Sequence, residues 1–235
     1  MGFLTEQGIS VLCLDIDGTL YPKRMLNARM LRSSFPSLRL AFAFNWARAQ
    51  YRRDQERVPT IPNTREGLLD RQARLVLSHL GQPAESGRLL RLRAQIDRQF
   101  YHAWERSFRT IQPFPGLREA LLAAKQQNIR IAVFSDFPLA GKLQNLGIED
   151  LVDQAYSAEE SGYLKPSPLA FSYLLDRLAV DPDQVLFMGD SYQKDCQGAK
   201  RAGMYACLIT RRAKTLHPDA DLVVRSWKEF ASLVL

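Results

Sequence analysis

Short, uninterrupted apolar runs recur towards both ends of the chain: ISVLCLD at residues 9–15, IRIAVFSD at 129–136, VLFMGD at 185–190, MYACLIT at 204–210 and DLVV at 221–224. They favour β-branched residues and do not alternate with polar ones, the pattern of strands covered on both faces in a parallel sheet. Helical stretches separate them. One covers Leu117 to Gln127 behind Pro115-Gly116, and another begins at Ser167-Pro168, a cap followed by a proline suited to a first turn. A third, around Gln193 to Ala202, is closed by Gly203, and Ser226 with Glu229 makes a capping box for the last. Alternation of this kind predicts an α/β fold: a Rossmann-like three-layer α/β/α sandwich with a parallel sheet and right-handed crossovers.

The middle of the chain is different. No period-2 stretch stands out, and three helical patterns fill it: one from Pro36 towards Arg57, one capped by Asn63 with Glu66 and running to Leu80 before Gly81, and one from Gly87 to Phe108. In the last, Phe100, Trp104 and Phe108 recur at intervals of four, as on one helix face. The expectation is an α/β body of residues 1–20 and 113–235, with 21–112 inserted after the first strand as an all-helical unit. Pro113, Pro115 and Gly116 mark the return to the body.

Composition adds limits. With 235 residues, 46% hydrophobic and 24% charged, the chain suits a globular protein rather than a disordered one. No apolar run approaches the roughly 20 residues that span a bilayer. Glu6, Asp15 and Asp17 near the start argue against a secretion signal. Cys13, Cys196 and Cys207 form no CxxC pair, so a disulfide-free, cytoplasmic protein is expected. The net charge of +7 is uneven: residues 21–112 hold 18 Lys and Arg against 7 Asp and Glu, a balance of +11, which leaves −4 for the rest. Two bodies with different tasks are implied.

The chemistry sits at strand ends. In open parallel sheets, ligands bind at the carboxyl edge. Asp15 and Asp17 follow the first run, Ser135 and Asp136 end the second, and Asp190 ends VLFMG with Asp195 five residues on. Lys165 lies between them in SGYLKPSPLAF. Carboxylates gathered at one edge repel one another unless a cation intervenes, and hard oxygen ligands in this number suit Mg²⁺.

In order along the chain, DIDGTL, a polar Ser135, GYLKPSP and GDSYQKDCQGAKRAGM resemble the haloacid dehalogenase-like superfamily. The resemblance covers the whole α/β portion. It implies a strand order of 5-4-1-2-3 and a helical cap inserted after the first motif. It makes Asp15 the nucleophile that forms an aspartyl-phosphate. It makes Asp17 the group that protonates the leaving oxygen and then deprotonates water, with a pKa nearer neutrality than a free Asp. Gly18 permits the tight backbone between them. Ser135 donates to a phosphoryl oxygen, while Lys165 neutralises the transferring group and screens Asp15 from Asp190. Mg²⁺ is held by the Asp15 carboxylate, the Asp17 carbonyl and Asp190, with Asp195 orienting a metal-bound water or Lys165.

Asp17 favours a phosphate ester over a halide, because an alkoxide leaves with a proton and a halide does not. The expected activity is a Mg²⁺-dependent phosphatase of a small phosphorylated metabolite, a nucleotide or a sugar phosphate. A sugar-phosphate mutase is the enzymatic alternative. A binding protein whose basic insertion engages nucleic acid is the other, suggested by arginines among aromatics in RQFYHAWERSFR; packing of those aromatics between helices is the simpler reading. Lys23 and Arg24 are the cations expected to face the cleft. Asp136 stands where relatives often have Asn, and a further negative charge there opposes phosphate binding unless it turns away.

Overall fold

The computed structural model describes residues 2–25, 37–57, 64–139, 141–211 and 217–234, with the side chains of residues 103, 104 and 107 left aside. Six strands, β1 (Val11–Leu14), β2 (Arg130–Ser135), β3 (Gln154–Ser157), β4 (Val185–Gly189), β5 (Tyr205–Ile209) and β6 (Leu222–Val224), form one sheet in the order β3-β2-β1-β4-β5-β6. Every pairing is parallel. Read from the other edge, this is the 5-4-1-2-3 order with β6 added. Five strands coincide with the apolar runs. The sixth, β3, was not expected, because its QAYS residues are largely half-buried at an edge and carry no apolar run.

Helix α1 spans Phe3–Glu6, and between β1 and β2 come α2 (Leu38–Arg57), α3 (Arg65–His79), α4 (Ser86–Ile96) and α5 (His102–Phe108). The remaining helices are α6 (Leu117–Gln126), α7 (Lys142–Asn145), α8 (Pro168–Leu178), α9 (Gln197–Arg201) and α10 (Trp227–Val234). Successive strand residues point to opposite faces. Leu12 and Leu14 therefore join Leu121 of α6 with Trp227 and Phe230 of α10. Val11 and Cys13 join Phe171 and Leu174 of α8 with Ala199 of α9. Both faces are covered, which is why the strands read as unbroken apolar runs; each such side chain contributes roughly 1.5–3 kcal/mol on burial.

The insertion has its own core, in which Phe44, Ala47, Val76, Leu92, Ile96 and Phe100 are buried together. Here the expected single aromatic face is corrected. Phe100 packs on Phe44 at 5.0 Å, whereas Phe108 meets Tyr21 edge-on at 4.9 Å within the sheet's core. A π turn over Asp97–Tyr101 separates α4 from α5. Its wider turn shifts the helical phase, so positions four apart no longer share a face. Trp104, the third member of that stripe, lies outside the described side chains.

Caps also differ in detail. Thr64 rather than Asn63 caps α3, its hydroxyl accepting from Gly67 N at 3.1 Å; Asn63 and Pro36 lie outside the described residues. Ser167 makes no side-chain cap, and Pro168 alone opens α8. The Ser226 hydroxyl accepts from Glu229 N at 3.2 Å as expected, but the Glu229 carboxylate accepts from Arg225 N at 2.6 Å instead of closing the box on Ser226. The segment after β4 opens as a π turn, Tyr192–Cys196, before α9.

Candidate active site

The register pairs Leu14 with Val133 and with Met188, so the residues that follow β1, β2 and β4 emerge side by side. Asp15 N donates to Met188 O at 2.9 Å. Lys165, buried in the loop before α8, donates from Nζ to Asp15 Oδ1 at 2.8 Å, to Asp195 Oδ1 at 2.8 Å and to Phe134 O at 3.2 Å. Burial opposes its charge, but Asp15 and Asp195 outweigh it and hold the ammonium pKa well above its ordinary value. The Thr19 hydroxyl donates to the other Asp15 oxygen at 3.0 Å, and Ser191 N donates to Asp195 Oδ2 at 3.0 Å.

Asp15, Asp190 and Asp195 each offer an oxygen within 4.8 Å of the other two. Burial, with Lys23 opposing and Asp15 adding, pushes the Asp190 carboxyl above its ordinary range. Burial and the neighbouring acids push Asp195 up as well, against the pull of Lys165. Lys23 approaches Asp190 at 3.6 Å. Three crowded carboxylates, with Asp190 and Asp195 pushed up, are a set of hard donors that fits a divalent cation such as Mg²⁺. Asp15 and Asp190 are the side chains expected to hold the metal, and Asp195, expected beside them, stands in the same cluster. Two glycines make room for it. Gly18 has φ +112°, and a methyl group there would overlap the Asp190 carboxylate; one at Gly189 would overlap Asp195.

Asp17 is engaged elsewhere. Lys142 of α7 donates to its two oxygens at 2.9 and 3.2 Å, and the Tyr21 hydroxyl donates to Oδ1 as well. Burial raises the Asp17 pKa, but Lys142 and Tyr21 overcome it and hold the carboxyl below its ordinary value. This corrects the expected shift towards neutrality. It also explains how two acids one residue apart coexist: each has its own buried lysine, Lys165 for Asp15 and Lys142 for Asp17.

Ser135 is fully buried at the tip of β2, its hydroxyl accepting from Phe137 N at 3.2 Å. Asp136 does turn away. Its Oδ1 accepts from Lys165 N at 3.0 Å and its Oδ2 from Arg52 Nη2 at 2.7 Å, and Arg52 Nε also donates to Lys165 O at 3.0 Å. Burial would raise the Asp136 pKa; Arg52, then Lys165, hold it well below the carboxylate range. Arg52 belongs to α2, and the same helix face continues the contact. Arg48 pairs with the buried Glu159 and donates to Asp136 O at 2.9 Å. The Tyr51 hydroxyl donates to Gly162 O at 2.6 Å, while Gln55 donates to Leu164 O at 2.6 Å and accepts from Leu164 N at 3.0 Å. Residues 48, 51, 52 and 55 share one stripe of the helix, which grips the loop that carries Lys165.

Sequence reasoning missed Thr19, Tyr21, Lys142, Arg52 and Glu159 as members of this neighbourhood. Thr19 and Tyr21 lie four residues beyond Asp15 and Asp17, a spacing that points to them. The others carried no local signal. His79 stacks on Trp46 and His102 pairs with Asp97, away from the acids. The three cysteines are free and buried, their thiols pushed up by burial.

Comparisons with known proteins agree with this fold. The chain is 27% identical over 219 residues, 91% of its own length and 89% of the other's, to a glyceraldehyde 3-phosphate phosphatase of Methanopyrus kandleri. It is 28% identical over 109 residues to a ribulose-1,5-bisphosphate 5-phosphatase of Halopiger xanaduensis; that match takes in 45% of this chain and about half, 46%, of the relative. Among solved structures, the magnesium-bound HAD-hydrolase YfnB of Bacillus subtilis superposes with a TM-score of 0.65 over 97% of this chain and 99% of that one. At 18% identity, that likeness is one of fold. No described helix is long and apolar enough to cross a membrane. The model of haloacid dehalogenase-like hydrolases matches residues 9–203, from two residues before β1 to the turn after α9, and the chain belongs to that family.

Proposed function

We propose that this hydrolase is a Mg²⁺-dependent phosphatase that cleaves a small phosphate monoester through an aspartyl-phosphate on Asp15, with residues 21–112 acting as a cap over the site. One observation carries the reading: a buried lysine bridges Asp15 and Asp195 while Asp190 lies within 4.8 Å of both. Phosphoryl transfer asks for little beyond such positioning and charge compensation. In the first step an Asp15 oxygen attacks phosphorus, the bond to the leaving oxygen breaks, and that oxygen takes a proton from Asp17. In the second, water attacks phosphorus and gives its proton to Asp17, the bond to Asp15 breaks, and phosphate leaves. Asp15, Asp190 and the Asp17 main chain would hold a Mg²⁺, supported by Asp195, and the ion would supply positive charge next to the transferring group.

Lys165 sets its ammonium 2.8 Å from Asp15 Oδ1, placing positive charge beside the attacking carboxylate and the transferring group. The Lys142 and Tyr21 contacts keep Asp17 deprotonated, the form that accepts the proton in the second step; for the first step Lys142 must let go of the carboxylate. The relatives that match act on glyceraldehyde 3-phosphate and ribulose 1,5-bisphosphate by name, which supports a sugar phosphate over a nucleotide. The test is release of phosphate from p-nitrophenyl phosphate and a panel of sugar phosphates, nucleotides and phosphorylated acids. Turnover is expected to need Mg²⁺, to vanish with EDTA and to fall at least about 10³-fold in Asp15→Asn protein. Full activity in that variant would rule out the covalent route.

A further inference from the structure

A cavity of about 720 Å³ opens beside Asp190, on the side of the site away from the α2 stripe. It begins at Gly18 and Lys23 and runs past the end of β5 to the start of α10. Five cations line it: Lys23, Arg24, Arg211, Arg225 and Lys228. Asp190 is the one acid among its lining residues. Lys23 reaches towards that acid; among the described residues the side chains of Arg24, Arg211, Arg225 and Lys228 form no ion pair. The floor is apolar. Phe114, Ile209 and Trp227 supply it, with Trp227 fully buried and its indole N–H donating to Thr19 O at 3.0 Å.

We propose that this cavity is a second anion-binding site, and that the substrate carries, beyond the ester that is cleaved, a further phosphate or carboxylate that seats there. The inference rests on the phosphatase reading and names the substrate class of the same site. A single phosphate needs a small fraction of this volume, which lies within the range of pockets that hold whole metabolites. The cavity shares Asp190 with the acid cluster and reaches Gly18, which packs against that carboxylate, so one ligand can occupy both ends. Arginine forks match phosphate and carboxylate oxygens bidentately, and several of them converging on one group act together where an isolated surface pair would count for little. The apolar floor takes the carbon skeleton between the two charges. The fixed Trp227, tied to the Thr19 carbonyl, links that floor to the turn that holds Asp15.

The experiment compares matched substrate pairs. Fructose 1,6-bisphosphate against fructose 6-phosphate tests a second phosphate, and 3-phosphoglycerate against glycerol 3-phosphate tests a carboxylate. The anionic member of at least one pair is expected to win by about tenfold or more in kcat/KM. In the Arg225→Ala/Lys228→Ala protein that ratio falls towards one, through KM rather than kcat. A wild-type ratio near one in both pairs, with p-nitrophenyl phosphate still hydrolysed, overturns the inference and leaves the phosphatase reading standing. A separate arm needs no turnover: Asp15→Asn protein is titrated with fructose 1,6-bisphosphate and with 3-phosphoglycerate by calorimetry. Binding that weakens about tenfold on adding the double substitution upholds the site even where no ester is cleaved. Binding that the double substitution does not alter overturns it.

Discussion

The two sides of the candidate site use arginine in opposite ways. Towards β2 and β3, Arg48 and Arg52 leave α2 to meet Glu159, Asp136 and main-chain carbonyls, and Arg48 is 3% exposed. Towards β5 and β6, Arg211, Arg225 and Lys228 are exposed beside a cavity. The charge is the same and the environment is not. A guanidinium taken out of water and paired with a buried carboxylate is committed to structure, since losing either partner strands the other. One that stands in water at a cavity rim costs little to hold and is free to meet an anion. The basic residues around the site thus fall into two populations, one on the insertion and one at the far end of the sheet, and burial with pairing, not sequence density, separates them.

The buried side is the easier to break. Replacing Arg48 by Met leaves Glu159 without its main counter-charge, and the loss in unfolding free energy should reach about 3–5 kcal/mol, read from urea denaturation. A loss below about 1 kcal/mol would mean that α2 is not held by this pair. Next in size is Arg52→Gln. It removes both the Asp136 pair and the Lys165 carbonyl contact, letting the lysine backbone drift, and kcat on p-nitrophenyl phosphate should drop about 10- to 100-fold with KM little changed. Arg52→Lys, which restores one contact, should recover part of it. Smallest is the effect on stability of the open side: Arg225→Ala and Lys228→Ala should each move the denaturation midpoint by no more than about 0.5 kcal/mol equivalent. A larger change would show that these cations are structural after all, and would erase the contrast.

Much of the candidate site was visible in the sequence because its parts are local. Asp15, Ser135, Asp190 and Asp195 each follow an apolar run that ends at the sheet's carboxyl edge, and parallel register brings such ends together whatever lies between. Lys142 and Arg52 were invisible for the opposite reason. Lys142 sits 125 residues from Asp17, Arg52 84 from Asp136, and each lies on a helix face that looks ordinary by itself. Asp136 looked like a liability for phosphate binding because a strand-end acid reveals nothing of the arginine that will cover it. The edge strand β3 and the π turn over Asp97–Tyr101 escaped as well: one has a single buried residue, and the other changes helical phase without any residue type that marks it.

The α2 stripe has a consequence for how the chain tolerates change. Tyr51, Arg52, Gln55 and Arg48 reach the carbonyls of Gly162, Lys165, Leu164 and Asp136, groups that every residue possesses. These main-chain contacts fix the path of the loop without reading its side chains, whereas Asp136, Glu159 and Lys165 are fixed by ion pairs of their own. A saturation scan should reveal intolerance as a ladder of positions three or four apart on one strip of a helix, while across the interface each sensitive position is held for a separate reason: Gly162 by its left-handed backbone, Leu164 by burial, Asp136 and Lys165 by charge.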